Sequence, residues 1–332
     1  MSLIHHSDGP FEVGTATIKR VALLTNPAAG KGSASNAAEK AKQRLNQLGV
    51  DVVSIQGSSP EASRELAAAM IADERIDALV VAGGDGLIAL ALQEQAQSGK
   101  PLGIIPAGTG NDHAREYGIP TDPVKAAEVI AHGFWTTADL GVMRAYPQGT
   151  DITQQKLGEP HSTYWFGTIA CAGFDSLVSD RTNQIKWTKG RSRYNLAIVL
   201  EFLNFHSIPT TLVLDAGEDT QQVIHTQATL CAMGVTRSYG GGMYICPDAN
   251  HHDGLLDVTV MGRLSRTKAA LKFRKIFTGD IRDEEGLDMY RTKRARITMP
   301  HINSYADGDR FAPLPMEVEA IQGAGKFLVP RP

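Results

Sequence analysis

Three short glycine-containing segments each follow a run of apolar residues: Asn26-Pro27-Ala28-Ala29-Gly30-Lys31-Gly32, Gly83-Gly84-Asp85-Gly86 and Pro106-Ala107-Gly108-Thr109-Gly110-Asn111-Asp112. Where a strand ends and a helix begins, unpaired backbone N–H groups point outward and attract anions. Glycine suits such a turn because a Cβ would hold the backbone away from a phosphate and would penalise positive φ. A single turn of this kind is an ordinary connection between elements. Three of them, one with an aspartate between glycines, predict a phosphate-binding site. The chain contains neither GxxxxGK[ST] nor GxGxxG followed by an acidic residue about twenty positions on, which excludes the P-loop and the standard dinucleotide fingerprint.

Carboxylates supply the rest of phosphate chemistry, since they hold Mg²⁺ and take protons. Asp85 and Asp112 lie in two of the turns, Asp139 follows later, and Asp307-Gly308-Asp309 places two acids around a flexible glycine. One of that pair suits a proton acceptor and the other a partner for metal or phosphate-bound water. The plainer reading is an Asx-type turn whose carboxylates bond the backbone. Asp248, His251, His252 and Asp253 invite a zinc reading, but adjacent histidines usually point apart, and loops rich in Asn and His are more often plain turns. Cys171, Cys231 and Cys246 show no CxxC or CxH spacing, which predicts buried thiols rather than a zinc cluster or disulfides.

These groups need a rigid carrier. From Arg20 to Pro123 apolar runs alternate with helical patterns, predicting βα units around a parallel sheet, with strands over 21–24, 50–55, 78–82 and 102–105. Helices are predicted over 33–48, 60–72, 87–97 and 123–132; in the first, Ala38, Ala41, Leu45 and Leu48 keep helical spacing and Gly49 stops it. After about Asp139 strands over 164–172, 210–214, 227–234, 256–261 and 294–299 alternate with Gly, Asp and Pro turns, as in an antiparallel fold, with one helix over 265–277. The expected organisation is a frayed or appended end (1–15), an α/β domain (16–140), a β-rich domain (141–325) and a tail (326–332) that could return to the first domain. A length of 332 residues suits two domains.

The composition, 42% hydrophobic and 21% charged, is that of a globular protein, and a net charge of -3 gives no reason to expect nucleic acid as a partner. No apolar run reaches the roughly 18 residues that span a bilayer. Contact with a membrane surface stays open.

The ordered set of Asn26-Pro27 with Gly30 and Gly32, GGDG at 83–86, PAGTGND at 106–112, Cys246-Pro247-Asp248 with Asp253-Gly254 and Asp257, and Asp307-Gly308 resembles the diacylglycerol kinase catalytic family, which includes bacterial lipid kinases and sphingosine kinases. The resemblance covers about residues 20–320. It implies a Rossmann-like α/β domain of the phosphofructokinase and NAD-kinase type followed by a β-sandwich, with ATP and lipid meeting in a cleft. It further implies that Asn26, Lys31, Gly83, Gly84, Asp85, Gly86, Gly108, Thr109 and Asn111 lie along ATP, Thr109 and Asn111 near its phosphates. Asp85, Asp112 and Asp139 would form a water-mediated Mg²⁺ network, Asp253 with nearby carbonyls would hold a structural Mg²⁺, and Asp307 would be the catalytic base, with Asp85 the base in the sphingosine branch. The acceptor would be a membrane lipid, diacylglycerol first, reached by peripheral contact with the anionic inner face of the membrane from the cytoplasm. A homodimer stays open.

The chain departs from the family at Leu87, Ala89 and Leu90, where Thr, Asn and Glu are usual, and at Asp309, where Glu is usual. Over 265–277 and beyond it, Arg266, Lys268, Lys272, Arg274, Lys275, Arg291, Lys293, Arg294 and Arg296 could meet anionic headgroups, although a solvated basic helix face fits equally. Other readings are an NAD kinase-like enzyme, sharing GGDG, and a weakened nucleotide-binding regulator.

Overall fold

The computed structural model describes residues 11–26, 33–173, 207–262, 275–282 and 284–332. The chain divides into two compact units: 1–140 with 250–254 and 321–332, and 141–249 with 255–320.

The first unit carries β1 (Val13–Thr15), β2 (Arg20–Thr25), α1 (Ser33–Gln47), β3 (Asp51–Gln56), α2 (Pro60–Ala72), β4 (Ala78–Gly83), α3 (Asp85–Gln95), β5 (Leu102–Pro106), α4 (Asp112–Glu116) and α5 (Pro123–His132). Strands β5, β4, β2 and β3 lie side by side in that order, all parallel. Ala78 to Ala82 are wholly buried, and so is nearly all of Val21 to Leu24. That burial explains their unbroken apolar sequence, because helices cover both faces of a parallel sheet. The helix starts are fixed locally. Ser59 accepts a hydrogen bond from the N–H of Ala62, Asp122 accepts from Val124 and Lys125, and proline follows each cap, where a missing N–H costs nothing. This order puts the ends of β4 and β5 next to each other, and the two turns that follow them meet.

The second unit contains part of β6 (Phe134–Ala145) with β7 (Ser162–Phe166), β8 (Ile169–Gly173), β9 (Ile208–Leu214), β10 (Gln222–Ala228), β11 (Leu230–Gly234), β12 (Leu256–Met261), β13 (Leu287–Thr292), β14 (Arg294–Thr298), β15 (Asn303–Ala306), β16 (Asp309–Pro313) and the start of β17 (Met316–Leu328). One antiparallel sheet runs β13-β12-β11-β8-β15-β16. In the other, β10, β9, β14 and β17 pair in sequence. Ala170, Ala172, Cys231, Met233 and Val258 of the first sheet share a core with Leu212, Leu214, Ile297, Met316 and Val318 of the second. This is a β-sandwich, so the fold class is an α/β unit followed by a β-sandwich. Alternate residues of β8 and β11, among them Ile169, Cys171, Leu230 and Ala232, face a second core with Ile245 and Ile281. All three cysteines are buried and none forms a disulfide, and burial pushes the Cys231 thiol up to about 12.

Several sequence expectations shift. The strand expected over 164–172 is two strands, broken at Gly167 and Thr168. The helix expected over 87–97 starts two residues earlier, taking Asp85 into its first turn. The strand β6 and the short helix α4 carry no periodic signal of their own. All but 275–277 of the helix expected over 265–277 falls outside the described residues.

Candidate functional site

In the first unit the turn after β4 and the turn after β5 are bound to each other. The N–H of Ala107 donates to the carbonyl of Gly83 at 2.9 Å, and the side chain of Asn111 accepts from the N–H of Gly108 at 2.9 Å. Gly84 and Gly108 lie back to back: a Cβ built on Gly108 would be 2.5 Å from the Cα of Gly84, and one on Gly84 would be 3.0 Å from the Cα of Gly108. Neither has positive φ; in this segment the left-handed residue is Asn111, at φ 53° and ψ 43°. The glycines here are thus needed for the approach of one loop to another. That corrects the positive-φ expectation for these positions.

Asp85 sits just after the Gly84 cap of α3, where the helix N-terminus favours a carboxylate. Its Oδ1 accepts from the N–H of Asp112 at 2.9 Å and of His113 at 3.4 Å, and lies 3.2 Å from His113 Nδ1. Burial alone would raise this carboxyl. The hydrogen bond and charge of His113, with the backbone N–H groups of His113 and Asp112, outweigh burial and hold it below its ordinary value. Among the described residues Oδ2 of Asp85 accepts no hydrogen bond, and the side chain keeps 18% exposure. One oxygen is tied down and the other can take a ligand.

The remaining predicted residues divide. Asn26 directly follows β2, while Lys31 lies outside the described residues. Gly86 and Thr109 are exposed, and Gly83 packs under Leu87, whose Cδ2 would be 2.9 Å from an added Cβ. Leu87 and Ala89, standing where Thr and Asn are usual, are buried in the core. Asp112 is 5% exposed and pairs with Arg115, which also donates to the carbonyl of Gly110. Asp139, 1% exposed, accepts from the N–H of Gly254 at 2.6 Å and of Gly323 at 2.9 Å. Burial raises its carboxyl against those two bonds, and the charge of Asp253 adds to the rise. Asp139 therefore works as a clamp on two chain segments. The rings of His251 and His252 do not point apart but lie against each other, with centroids 4.2 Å apart; His251 lies 3.2 Å from Glu116, and His252 stacks on Phe11.

The expected metal residues thus fall into two pairs, Asp85 with Asp112 and Asp139 with Asp253. Among the described residues no three His, Cys, Asp or Glu side chains gather closely enough to hold a metal by themselves. Mg²⁺ needs no such cage, because it keeps several waters and takes one or two carboxylates plus substrate phosphates. The spare oxygen of Asp85 fits that requirement.

In the second unit, Asp307 and Gly308 are the two central residues of the β15–β16 hairpin, at φ 50° and 89°, as an Asp-Gly type I′ turn requires. The Asp307 carboxylate accepts from the N–H of Gly167 at 2.8 Å and of Thr168 at 2.9 Å, and from the Thr168 hydroxyl. Those donors come from the break between β7 and β8. Asp309 is exposed, with Tyr164 Oη 3.4 Å from its Oδ2. Protein packed around its carboxyl and the nearby charge of Asp307 raise it to about 6. Sequence reasoning missed His113, Arg115, Tyr164 and Thr168. A lone His after Asn-Asp carries no signal, whereas Asp-Gly between short apolar runs could have marked the hairpin.

Comparison with known proteins matches residues 20–143 to the family described as the diacylglycerol kinase catalytic domain and residues 168–329 to the YegS C-terminal NAD kinase beta sandwich-like domain. A diacylglycerol kinase of Mycobacterium tuberculosis (strain ATCC 25618 / H37Rv) is 45% identical over 315 residues, covering 95% of this chain and 96% of that protein. A probable lipid kinase YegS-like protein of Stenotrophomonas maltophilia (strain K279a) is 27% identical, covering 95% and 97%. A solved structure titled as a diacylglycerol kinase from Bacillus anthracis str. Sterne superposes with a TM-score of 0.66 at 18% identity, covering 95% and 98%. At that identity the likeness speaks for the fold alone.

Proposed function

Because the chain belongs to the diacylglycerol kinase family of lipid kinases, we propose that it transfers the γ-phosphate of ATP to a hydroxyl of a membrane lipid, most simply diacylglycerol to give phosphatidic acid. The observation that carries this reading is Asp85: a carboxylate fixed where two glycine turns meet, one oxygen bonded and the other, among the described residues, spare. In this reading Gly83, Gly84, Gly108 and Asn111 hold the two turns against each other, Asn26, Lys31, Gly86 and Thr109 line the nucleotide, and Asp85 with its neighbour Asp112 presents Mg²⁺ to the phosphates. When bound, Mg²⁺ would neutralise phosphate charge. Transfer of ³²P from ATP to diacylglycerol, monoacylglycerol, sphingosine, ceramide and NAD tests the proposal in one panel. Incorporation into diacylglycerol above the others is expected; label on NAD alone, or on nothing, would overturn it.

The acceptor is reached from the membrane surface. Among the described residues no helix is long and apolar enough to cross a membrane. Of the basic residues considered for docking, Arg266 to Arg274 lie outside the described residues, Lys275 is paired with Glu284, and Arg291, Arg294 and Arg296 are paired with Asp257, Glu319 and Glu317, which leaves the exposed Lys293 beside them without a patch of its own. The peripheral contact at the inner face therefore rests on the nature of the substrate.

Phosphoryl transfer also needs a proton acceptor for the lipid hydroxyl. Of the two acids at the hairpin, Asp307 has most of its lone pairs filled by Gly167 and Thr168, whereas Asp309 is exposed and meets Tyr164. The geometry favours Asp309 as the acceptor and Asp307 as the residue that holds the hairpin to the neighbouring strand. A base must be ionised to work, and with a carboxyl raised to about 6 it is increasingly protonated below that pH. We expect kcat/KM to fall as pH drops through about 6. In Asp309→Asn that limb should vanish and the rate at pH 8 should drop about 10²-fold, a typical general-base contribution. Full activity in Asp309→Asn with loss in a folded Asp307→Asn would return the role to Asp307.

A further inference from the structure

We propose that His113 is a positioning residue for Asp85, fixing through its ring Nδ1 the orientation in which the spare Asp85 oxygen faces the nucleotide and its metal. This rests on the kinase reading above and adds a residue to its machinery. His113 is fully buried, and its ring nitrogen lies 3.2 Å from the same Asp85 oxygen that accepts the N–H groups of Asp112 and His113. An ionised carboxylate oxygen can only accept, so Nδ1 carries the hydrogen. Three donors on one oxygen leave the carboxylate little freedom to rotate. The two backbone donors come from a five-residue helix, α4, whose start is a left-handed Asn111. The imidazole is a side-chain donor that ties this helix to the first turn of α3. Donors behind a metal-facing carboxylate typically matter 10- to 100-fold in metal affinity or rate when removed.

Three substitutions separate positioning from packing, because the two roles rank them in opposite order. In His113→Asn the amide nitrogen reaches the place of Nδ1 but leaves a void. His113→Gln reaches the place of Nε2 instead, and His113→Phe fills the space and donates nothing. Positioning predicts that Mg²⁺-dependent binding of a fluorescent ATP analogue weakens least in Asn and about 10-fold in Phe, although Phe melts at the higher temperature. If binding follows melting temperature, with Phe nearest the natural protein, His113 only packs and the proposal is overturned. In an Asp85→Asn background, His113→Phe should cause no further loss of binding; an undiminished loss there would also overturn it. The natural protein gives a measurement that does not depend on the variants folding. Its ¹⁵N-labelled His113 ring, assigned by connectivity, should hold hydrogen on Nδ1, and a ring with hydrogen on Nε2 alone would end the proposal. Binding is scored apart from transfer. A natural protein that phosphorylates no lipid would overturn the function proposed above and leave these readouts to decide on His113.

Discussion

Replacement of Asp85 by Asn is expected to lower turnover about 10³-fold while the protein stays folded. Phosphoryl transfer asks a protein for positioning and for charge opposite the phosphates, so the loss of one metal-facing carboxylate falls on the transition state. The fold should survive because the amide oxygen of Asn can still accept from the N–H groups of Asp112 and His113, which are the bonds that join the two turns. The cost to stability is then that of weakening a charge-assisted hydrogen bond, about 1 kcal/mol. Asp85 is held below its ordinary pKa, so its contribution to folding is present above the unfolded carboxyl value and is lost as pH falls through the folded one. At neutral pH the two proteins should therefore melt within a few degrees of each other. Initial rates over a Mg²⁺ titration, with a melting curve for each protein, decide the matter. Near-natural turnover would remove Asp85 from the chemistry, and a collapse in melting temperature would make it a structural residue.

The architecture was legible wherever one local pattern determined an element. Unbroken apolar runs such as 78–82 marked strands covered on both faces, and the helix expected over 123–132 is found as α5, Pro123–His132. Patterns that serve distant partners were not legible. The strand 164–172 reads as one apolar run, yet it breaks at Gly167 and Thr168, and the donors freed there bind a carboxylate 139 and 140 positions along the chain. Nothing local announces that. Residues 250–254 read as part of the second half, but they group with the first unit. There Asp139 holds the N–H of Gly254, and the N–H of Asp139 donates to the carbonyl of His251. The acids could be named from sequence, but their roles depend on which donors reach them. Asp85 keeps a free oxygen among the described residues, Asp139 is a buried clamp, and Asp307 is held by three donors.

The glycines show the same limit and give the second large effect. A glycine in a phosphate turn is easily explained by a ligand or by positive φ, and Gly108 needs neither explanation. Its added Cβ would meet the Cα of Gly84 at 2.5 Å and Asn111 Oδ1 at 3.0 Å. The first of these is backbone against backbone, so no rotamer change relieves it, and restoring ordinary contact means parting the turns by about 1 Å. Parting them stretches the bonds from Ala107 to Gly83 and from Asp112 to Asp85. Overpacking of this kind costs about 1–3 kcal/mol, and a displacement of about 1 Å in a positioning element is enough for a 10²-fold loss of rate. Gly108→Ala is therefore expected to lose at least about 10²-fold in turnover and to melt several degrees lower. Gly158→Ala is the control. That residue has no heavy atom within 4 Å of its would-be Cβ and no positive φ, so its variant should match the natural protein in rate and melting temperature. If Gly108→Ala behaves like the control, the two turns are not in rigid contact. The clamp on Asp85 would then have to come from His113 alone.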